Sequence, residues 1–352
     1  MAVSIVLIRE SAPGERRVAM TPETAKKLAA LGAEIVLERG AGAAAHFADE
    51  AYAGARIVDG AAAALATADV LVCVQPPPND AFATMKRGAV VVGLLAPHAD
   101  AARVPALAAA GLTAFSLERL PRTTRAQAMD VLSSQAGMAG YKAVLIAAQL
   151  APRYFPMLTT AAGTIRPSKV LVVGAGVAQV EGFDVRPETS EQIESLGGKF
   201  LDLGVSAVGE GGYARTLSDD ERAEQQRRLA EHLKNVDVIV TTAAVPGRPA
   251  PKIITAAMVG GMRPGSVIVD LAAETGGNCE LTRPGETFSH GGVTVAGPLD
   301  LASLGAVHAS EMYARNVFNF LALSLKDGAL AFDFEDELVA KTCLVRDGVV
   351  PG

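Results

Sequence analysis

The residues with the clearest chemical meaning are two glycines that follow an apolar run near the middle of the chain. Lys169 to Val173 reads as a buried strand, and Gly174-Ala175-Gly176 follows it directly. Glycines at this point let backbone N–H groups approach a pyrophosphate at the N-terminus of a helix. Asp184 ends the next apolar run, where it is placed to accept a hydrogen bond from a ribose 2′-OH. The pattern predicts a dinucleotide site. The carboxylate favours NAD(H), because it would repel the 2′-phosphate of NADP(H).

The spacing between the glycines and the acid is shorter than this fingerprint requires. An intact unit separates them by about 20 residues, because a crossover helix lies between them. Asp184 follows Gly176 by only eight residues. The second α/β unit is therefore predicted to lack its first crossover helix. Two explanations stay open: the molecule carries residues that this sequence omits, or the deletion is real and NAD binding is weakened or lost.

A second group of polar residues lies between Arg122 and Ser133, where a long helix is predicted to begin. Gln127, Asp130 and Ser133 recur every three residues, which predicts one helical face at the mouth of an interdomain cleft. An amide that both donates and accepts suits a carboxamide such as that of nicotinamide. None of these groups is a good general acid or base at neutral pH. The alternative interpretation is a solvated polar face with Thr124 as the helix N-cap.

Composition predicts a soluble protein of two domains. The chain has 352 residues, of which half are hydrophobic and a fifth are charged, and this is enough for two cores. A net charge of −6 argues against nucleic acid or an anionic membrane as a partner. Neither a signal peptide nor an apolar run of about 18 residues is present. Three widely spaced cysteines fit buried thiols, and the five histidines lack metal-ligand spacing, so no metal site is expected.

Apolar runs alternate with Ala-rich stretches, which is typical of parallel α/β units. We expect two Rossmann-like parallel-sheet domains joined by long helices at about 124–150 and 309–325. The first domain is expected to be discontinuous, covering 1–128 and 322–352, and the NAD-binding domain to cover 145–305. Strands are predicted at Ser4–Ile8, Ala33–Leu37, Ala68–Gln75, Ala89–Leu95, Leu112–Ser116, Lys169–Val173, Val180–Asp184, Asp237–Thr242, Ser266–Asp270 and Val293–Gly297.

One short helix has clear boundary signals. Thr21 is a suitable N-cap, Pro22 suits the first helical position and Gly32 is a suitable terminator. These signals predict a helix over Pro22–Leu31.

Taken together, these segments closely resemble the NAD(H)-binding component, domain I, of proton-translocating nicotinamide nucleotide transhydrogenase. This family shares its superfamily with alanine dehydrogenase, and the resemblance covers nearly the whole chain. It is carried by Glu15–Pro22, Arg122–Tyr141, Gly174–Ala178, Phe183–Thr189, Glu194–Phe200, Gly211–Ala214, Pro246–Pro251, Pro264–Ala272, Gly276–Cys279 and Cys343–Gly348.

The resemblance implies direct hydride transfer from NADH, held by this chain, to NADP⁺ held by a partner subunit. It implies that four residues position the nicotinamide and order the interface with the NADP component: Arg122, Gln127, Asp130 and Ser133. It also implies pyrophosphate contacts at Gly174, Gly176 and Val177, adenosine contacts at Asp184, Val185 and Arg186, further nucleotide contacts at Gly212, Gln225 and Ala244, and Tyr213 at the tip of a loop that closes over NAD.

The same resemblance implies a cytoplasmic homodimer, peripheral at the inner membrane. This dimer would dock with NADP-binding and membrane-spanning transhydrogenase subunits and be active only with them. Proton translocation would reside in those partners. We expect no nucleic acid partner and no direct membrane insertion.

Two alternatives remain. Alanine dehydrogenase shares the fold and an Arg-Val-x-x-Thr-Pro segment, here Arg17 to Pro22, and Arg17 could bind a keto-acid carboxylate. However, that family's lysine is replaced in the Gln75-Pro-Pro-Pro segment and its histidine is absent near Gly93–Ala96, so the proton-transfer groups are missing. The other alternative is a non-catalytic relative that lost NAD binding through the deletion after Ala178.

Overall fold

The computed structural model describes residues 2–173, 181–184, 189–195, 197–204, 218–244 and 247–351. The chain forms two compact units: unit 1 consists of Met1–Met138 and Ala302–Gly352, and unit 2 of Ala139–Leu301. Each unit is built on a mostly parallel, seven-stranded sheet. The predicted α/β fold with two parallel-sheet units is thereby confirmed.

The elements of both units follow in chain order. The α-helices are α1 Pro22–Ala30, α2 Ala61–Leu65, α3 Arg103–Ala109, α4 Val131–Leu150, α5 Thr189–Ser195, α6 Asp219–Leu233, α7 Ala256–Gly260, α8 Ala306–Leu321 and α9 Glu337–Thr342. The strands are β1 Ser4–Leu7, β2 Glu34–Glu38, β3 Arg56–Val58, β4 Val70–Val72, β5 Val90–Gly93, β6 Thr113–Ser116, β7 Leu158–Thr160, β8 Gly163–Ile165, β9 Val170–Val173, β10 Glu181–Phe183, β11 Lys199–Phe200, β12 Val238–Thr241, β13 Val267–Asp270, β14 Thr287–His290, β15 Val293–Ala296, β16 Leu325–Lys326, β17 Ala329–Leu330 and β18 Cys343–Val345.

Unit 1 has a sheet that is buried on both faces. Its strand order is β18-β6-β5-β4-β1-β2-β3, with β18 antiparallel to β6. Successive residues of a strand point to opposite faces, so Ile5 and Leu7 enter one apolar cluster while Val6 enters another. This explains why its central strands are continuous runs of β-branched residues rather than alternating ones.

The helix predicted from cap signals is α1. Thr21 and Thr24 form a reciprocal capping box, and Pro22 occupies the first position. Gly32 follows with φ of +90°, and a Cβ there would lie 2.6 Å from the nitrogen of Gly328. Only glycine fits this turn, both because of its backbone angle and because of the close approach.

The long helix predicted from residue 124 is interrupted at its start. Thr124–Met129 forms a 3₁₀ turn that follows Thr123 without a side-chain cap, and α4 begins only at Val131. Asp130 has extended backbone angles, and its carboxylate accepts from the backbone nitrogen of Ser133 at 3.0 Å. Asp130 is therefore the N-cap of α4. The prediction that Gln127, Asp130 and Ser133 share one continuous helical face is wrong, as is the prediction of Thr124 as N-cap.

Unit 2 has strand order β11-β10-β9-β12-β13-β15-β14, with β14 antiparallel to β15. Strands β9 and β10 are parallel neighbours that pair Phe183 with Val173. Seven residues separate their ends, fewer than the dozen or more that parallel crossovers ordinarily need. The connection is therefore as short as the sequence spacing predicted.

Tyr313 on α8 provides a test of how the unit 1 core is held. Its side chain is fully buried, and its hydroxyl donates to the carbonyl oxygen of Cys73 at 2.9 Å. Tyr313→Phe should lower the free energy of unfolding by about 1–2 kcal/mol, since a buried acceptor loses its partner. Urea unfolding measures this loss. The control is Tyr141→Phe, because Tyr141 is 60% exposed; equal effects in the two variants would contradict the assignment.

Candidate functional site

The sheet of unit 2 has a switch point between β9 and β12. From β9 the chain adds β10 and β11 on one side, and it then continues with β12 and β13 on the other. Loops that leave the carboxyl ends of the two central strands diverge, and ligands of open α/β sheets bind in the crevice between them. The backbone nitrogen of Thr242 donates to the carbonyl oxygen of Val173 at 2.8 Å, which joins the ends of these two strands.

Two predicted nucleotide contacts lie at this edge. Asp184 follows β10 directly and is half-buried, and Ala244 lies three residues beyond β12 and is exposed. Because β10, β9 and β12 are parallel neighbours, their carboxyl ends meet at the same edge. The remaining predicted contacts, Gly174, Gly176, Val177, Val185, Arg186, Gly212 and Tyr213, lie outside the described residues.

Gln225 lies toward the same edge, on the buried face of α6. His232, in the last turn of α6, contacts Glu181 at the start of β10 at 2.9 Å. Gln225 precedes His232 by seven residues, or about 10 Å of helix, in the direction of the strands' carboxyl ends. Its side chain is 7% exposed and has no hydrogen-bond partner among the residues that the structure describes. A buried amide therefore points toward this edge.

Asn278 fixes the loop that follows β12, and the sequence reasoning assigned it no role. Its side chain is fully buried, accepts from the nitrogen of Ala243 at 3.0 Å, and donates to the oxygens of Ala243 and Pro251. All the capacity of this amide except one lone pair is used. The only sequence signal was its position in the Gly276–Cys279 segment. The loop that carries Ala244 is thereby held by a buried side chain.

Asp270 at the end of β13 is likewise buried and satisfied. Its two oxygens accept from four donors, namely the hydroxyls of Thr241 and Thr282 and the nitrogens of Ala272 and Cys279. A buried carboxylate so fully hydrogen-bonded ties β12, β13 and the following turn together. It serves to shape the edge of the sheet rather than to react.

The equivalent crevice of unit 1, between β1 and β4, is closed by the chain itself. Glu10 lies three residues beyond β1, and its carboxylate accepts from the nitrogens of Val74 and Gln75 at 2.6 and 2.9 Å. Those two residues follow β4. The amides that would otherwise face a ligand at this switch point are occupied by an internal anion.

Arg17 is also engaged within unit 1. It is 8% exposed, donates to both carboxylate oxygens of Glu15 at 2.7 and 2.6 Å, and donates to Gln135 at 2.9 Å. Burial alone would raise the pKa of Glu15, but the hydrogen bonds from Arg17 lower it below its usual value. The guanidinium is therefore paired internally. This disfavours Arg17 as the site of a substrate carboxylate.

The segment from Arg122 to Ser133 displays polar side chains from an anchored backbone. Arg122, Gln127 and Ser133 are exposed, whereas Asp130 is half-buried as the cap of α4. Gln127 has no side-chain hydrogen bond within the described part of the chain. Beneath them, Ala126 and Met129 enter the core, and Arg125 forms a two-fold ion pair with Asp336. The structure therefore holds the backbone and leaves the Gln127 amide available.

Metal-ligand clusters of three or more His, Cys, Asp or Glu are absent from the described residues. Within the same residues, the helices are all too short or too polar to cross a membrane.

Comparison with known proteins gives a consistent result. The N-terminal domain model of alanine dehydrogenase/PNT matches residues 6–139, and the corresponding C-terminal domain model matches 143–351. The chain belongs to the alanine dehydrogenase/PNT family. The first of the separate chains that form NAD(P) transhydrogenase subunit alpha in Rhodospirillum rubrum is 42% identical, with 99% of this chain and 97% of that protein covered.

Structural comparison agrees with the sequence comparison. A crystal structure of transhydrogenase from Sinorhizobium meliloti has a TM-score of 0.88 and 42% identity, covering 99% of this chain and all of that one. Alanine dehydrogenase 1 of Staphylococcus aureus is only 27% identical over 80% of this chain. The alignment with the Rhodospirillum rubrum protein spans 374 positions, more than the 352 residues here. That relative therefore has residues with no counterpart in this chain.

Glu10 gives unit 1 a defined pH dependence. Burial of its carboxyl group raises its pKa from 4.5 to about 8, against the lowering effect of the Val74 and Gln75 amides. The folded protein then keeps this proton between pH 4.5 and 8, whereas the unfolded chain releases it. The contribution of Glu10 to the free energy of unfolding should therefore fall as pH rises through this window.

Glu10→Gln removes that proton equilibrium. The free energy of unfolding of the variant minus that of the wild type should increase from pH 5 to pH 8. Denaturant unfolding at several pH values measures it, with the exposed Glu50→Gln as the control. A difference that is constant with pH would show that Glu10 titrates normally.

Proposed function

We propose that this chain is the NAD(H)-binding subunit of a proton-translocating transhydrogenase. It would pass a hydride from NADH directly to NADP⁺ held by a partner subunit. The observation that carries the proposal is the switch point of unit 2, where Asp184, Gln225 and the loop after β12 lie at one edge of the sheet. The similarity to transhydrogenase alpha chains, at 40–42% identity, supports it.

NAD(H) would be bound by residues of unit 2. Asp184 would accept from the adenosine ribose, with Val185 and Arg186 beside it, and Gly174, Gly176 and Val177 would hold the pyrophosphate. Gly212, Tyr213, Gln225 and Ala244 would make further contacts. Asn278 and Asp270 would keep the edge in shape without touching the nucleotide.

The chemistry of hydride transfer fits the side chains that the chain displays. The nicotinamide supplies the hydride, so the protein has to position it and exclude water rather than move a proton. Gln127 offers a donor and an acceptor for a carboxamide, with Arg122, Asp130 and Ser133 around it. An alanine dehydrogenase would need a proton shuttle and a free cation, whereas Arg17 is paired with Glu15.

The partners follow from the same proposal. The chain would form a cytoplasmic dimer that docks, at the inner membrane, with NADP-binding and membrane-spanning subunits. Proton movement would occur in those subunits.

One observation favours a second candidate function. The connection between β9 and β10 has only seven residues, and it lies where the pyrophosphate would bind. A relative with this deletion would keep its partner surfaces and lose NAD. Titration of NADH fluorescence with the purified chain separates the two, because the second candidate predicts no binding at millimolar NADH.

Asp184→Ala tests the ribose contact. It should weaken NADH binding by roughly 1–3 kcal/mol, because a hydrogen bond to a charged acceptor is lost. The dissociation constant is measured by titration, with Asp59→Ala on exposed Asp59 as the matched control. An unaltered dissociation constant would remove Asp184 from the site.

Gln127→Asn tests the positioning of nicotinamide. The shortened amide should leave the NADH dissociation constant within about twofold, yet slow hydride transfer roughly tenfold or more, since small misplacements at the reacting atoms are costly. Single-turnover kinetics with the partner subunits measures the rate. Gln149→Asn, at an exposed position of α4, is the control. Unchanged turnover would exclude Gln127 from the mechanism.

Isotope transfer tests the function itself. NADH carrying deuterium at both C4 positions is mixed with NADP⁺ and the complete complex in ordinary water. Direct transfer predicts NADPH with one deuterium. Unlabelled NADPH would contradict the proposal, and NADH oxidation by pyruvate with ammonium would favour an alanine dehydrogenase.

A further inference from the structure

Two asparagines of α8 hold the backbone of the segment that carries Gln127. The side-chain nitrogens of Asn316 and Asn319 both donate to the carbonyl oxygen of Ala128, at 2.9 and 2.8 Å. Their spacing of three residues places them on one face of the helix. Together they use both lone pairs of that oxygen. Ala128 directly follows Gln127, so these bonds fix the chain immediately beside the Gln127 amide.

Asn316 makes a second connection from the same side chain. Its Oδ1 accepts from the hydroxyl of Ser134 at 2.7 Å, and the residue is 7% exposed. Ser134 lies in the first turn of α4, one residue after Ser133. Asn316 therefore links both sides of the Asp130 cap, with the 3₁₀ turn on one side and α4 on the other.

The two asparagines are not explained by the stability of α8 alone. Asparagine is one of the weaker helix formers, because its side chain competes for backbone hydrogen bonds. The neighbouring Val317 and Phe320 already supply the buried apolar face of the helix. What the asparagines add is a fixed position for one exposed turn.

From this geometry we infer that Asn316 and Asn319 are positioning residues for hydride transfer, acting through the backbone of Gln127. They touch no cofactor themselves. The inference rests on the proposed function, which gives Gln127 its role beside the nicotinamide. Because the Gln127 side chain has no hydrogen-bond partner in the described structure, its position depends on its backbone. Displacement by about 1 Å at a reacting centre is enough to slow a reaction up to a hundredfold.

The test is a double-mutant cycle in the full complex with its partner subunits. Asn319→Ala and Asn316→Ala are each made alone and together with Gln127→Asn, and Asn235→Ala in unit 2 is the matched control. Single-turnover hydride transfer, the NADH dissociation constant and the thermal midpoint are measured for each. Asn319→Ala is the safer variant, because that residue is only half-buried.

The expected result is a roughly tenfold slower transfer in either asparagine variant, with NADH affinity changed by less than about twofold. In the Gln127→Asn background the further loss should shrink below about twofold, since the route through Gln127 is already broken. Asparagine variants of normal rate, in a protein that Gln127→Asn still slows, would overturn the inference and leave the proposed function standing. Equal losses in both backgrounds would also overturn it. Normal rates in all variants, Gln127→Asn included, would instead remove Gln127 from the proposed function.

Discussion

The carboxyl edge of a parallel sheet is the constraint on which the rest of this molecule depends. Each unit has a switch point where neighbouring loops diverge and leave backbone amides facing outward. In unit 1 the carboxylate of Glu10 takes the Val74 and Gln75 amides. In unit 2 the loop after β12 remains accessible at Ala244. Two sheets of similar topology thus differ in which one is able to receive an anionic nucleotide.

Buried amides and carboxylates hold the backbones that present exposed groups. Asn278 fixes the loop after β12, and Asp270 joins four donors at the end of β13. In unit 1 the Glu15–Arg17–Gln135 network and the Ala128 contacts serve the same purpose. Such fully satisfied polar networks are rigid, because breaking any one bond leaves a buried group unpaired. A reaction that needs position more than proton transfer is well served by this arrangement.

Local signals in the sequence were enough for much of the fold. The central strands and α1 follow from apolar runs and cap residues, because neighbours in sequence decide them. The 3₁₀ turn at Thr124–Met129 could not be predicted, since its ending depends on Asn316 and on burial of Met129, both distant in sequence or space. The closing role of Glu10 was missed for the same reason, as its partners lie more than 60 residues away.

Of the candidate site, Asp184 and Ala244 were placed at one edge by strand order, which the alternation of strands and helices already indicated. Asn278 and Asp270 were not identified as site residues, because nothing local distinguishes a buried supporting side chain from an ordinary one. Short strands such as β3 and β18 also carried too few residues for a pattern.

Hydrogen exchange measured with and without saturating NADH tests the central claim most directly. The account predicts slower exchange at Asp184 and at residues 242–244 of unit 2, with no change at Val74 and Gln75. Slower exchange at Val74 and Gln75, or bound NADH that protects neither edge, would contradict it.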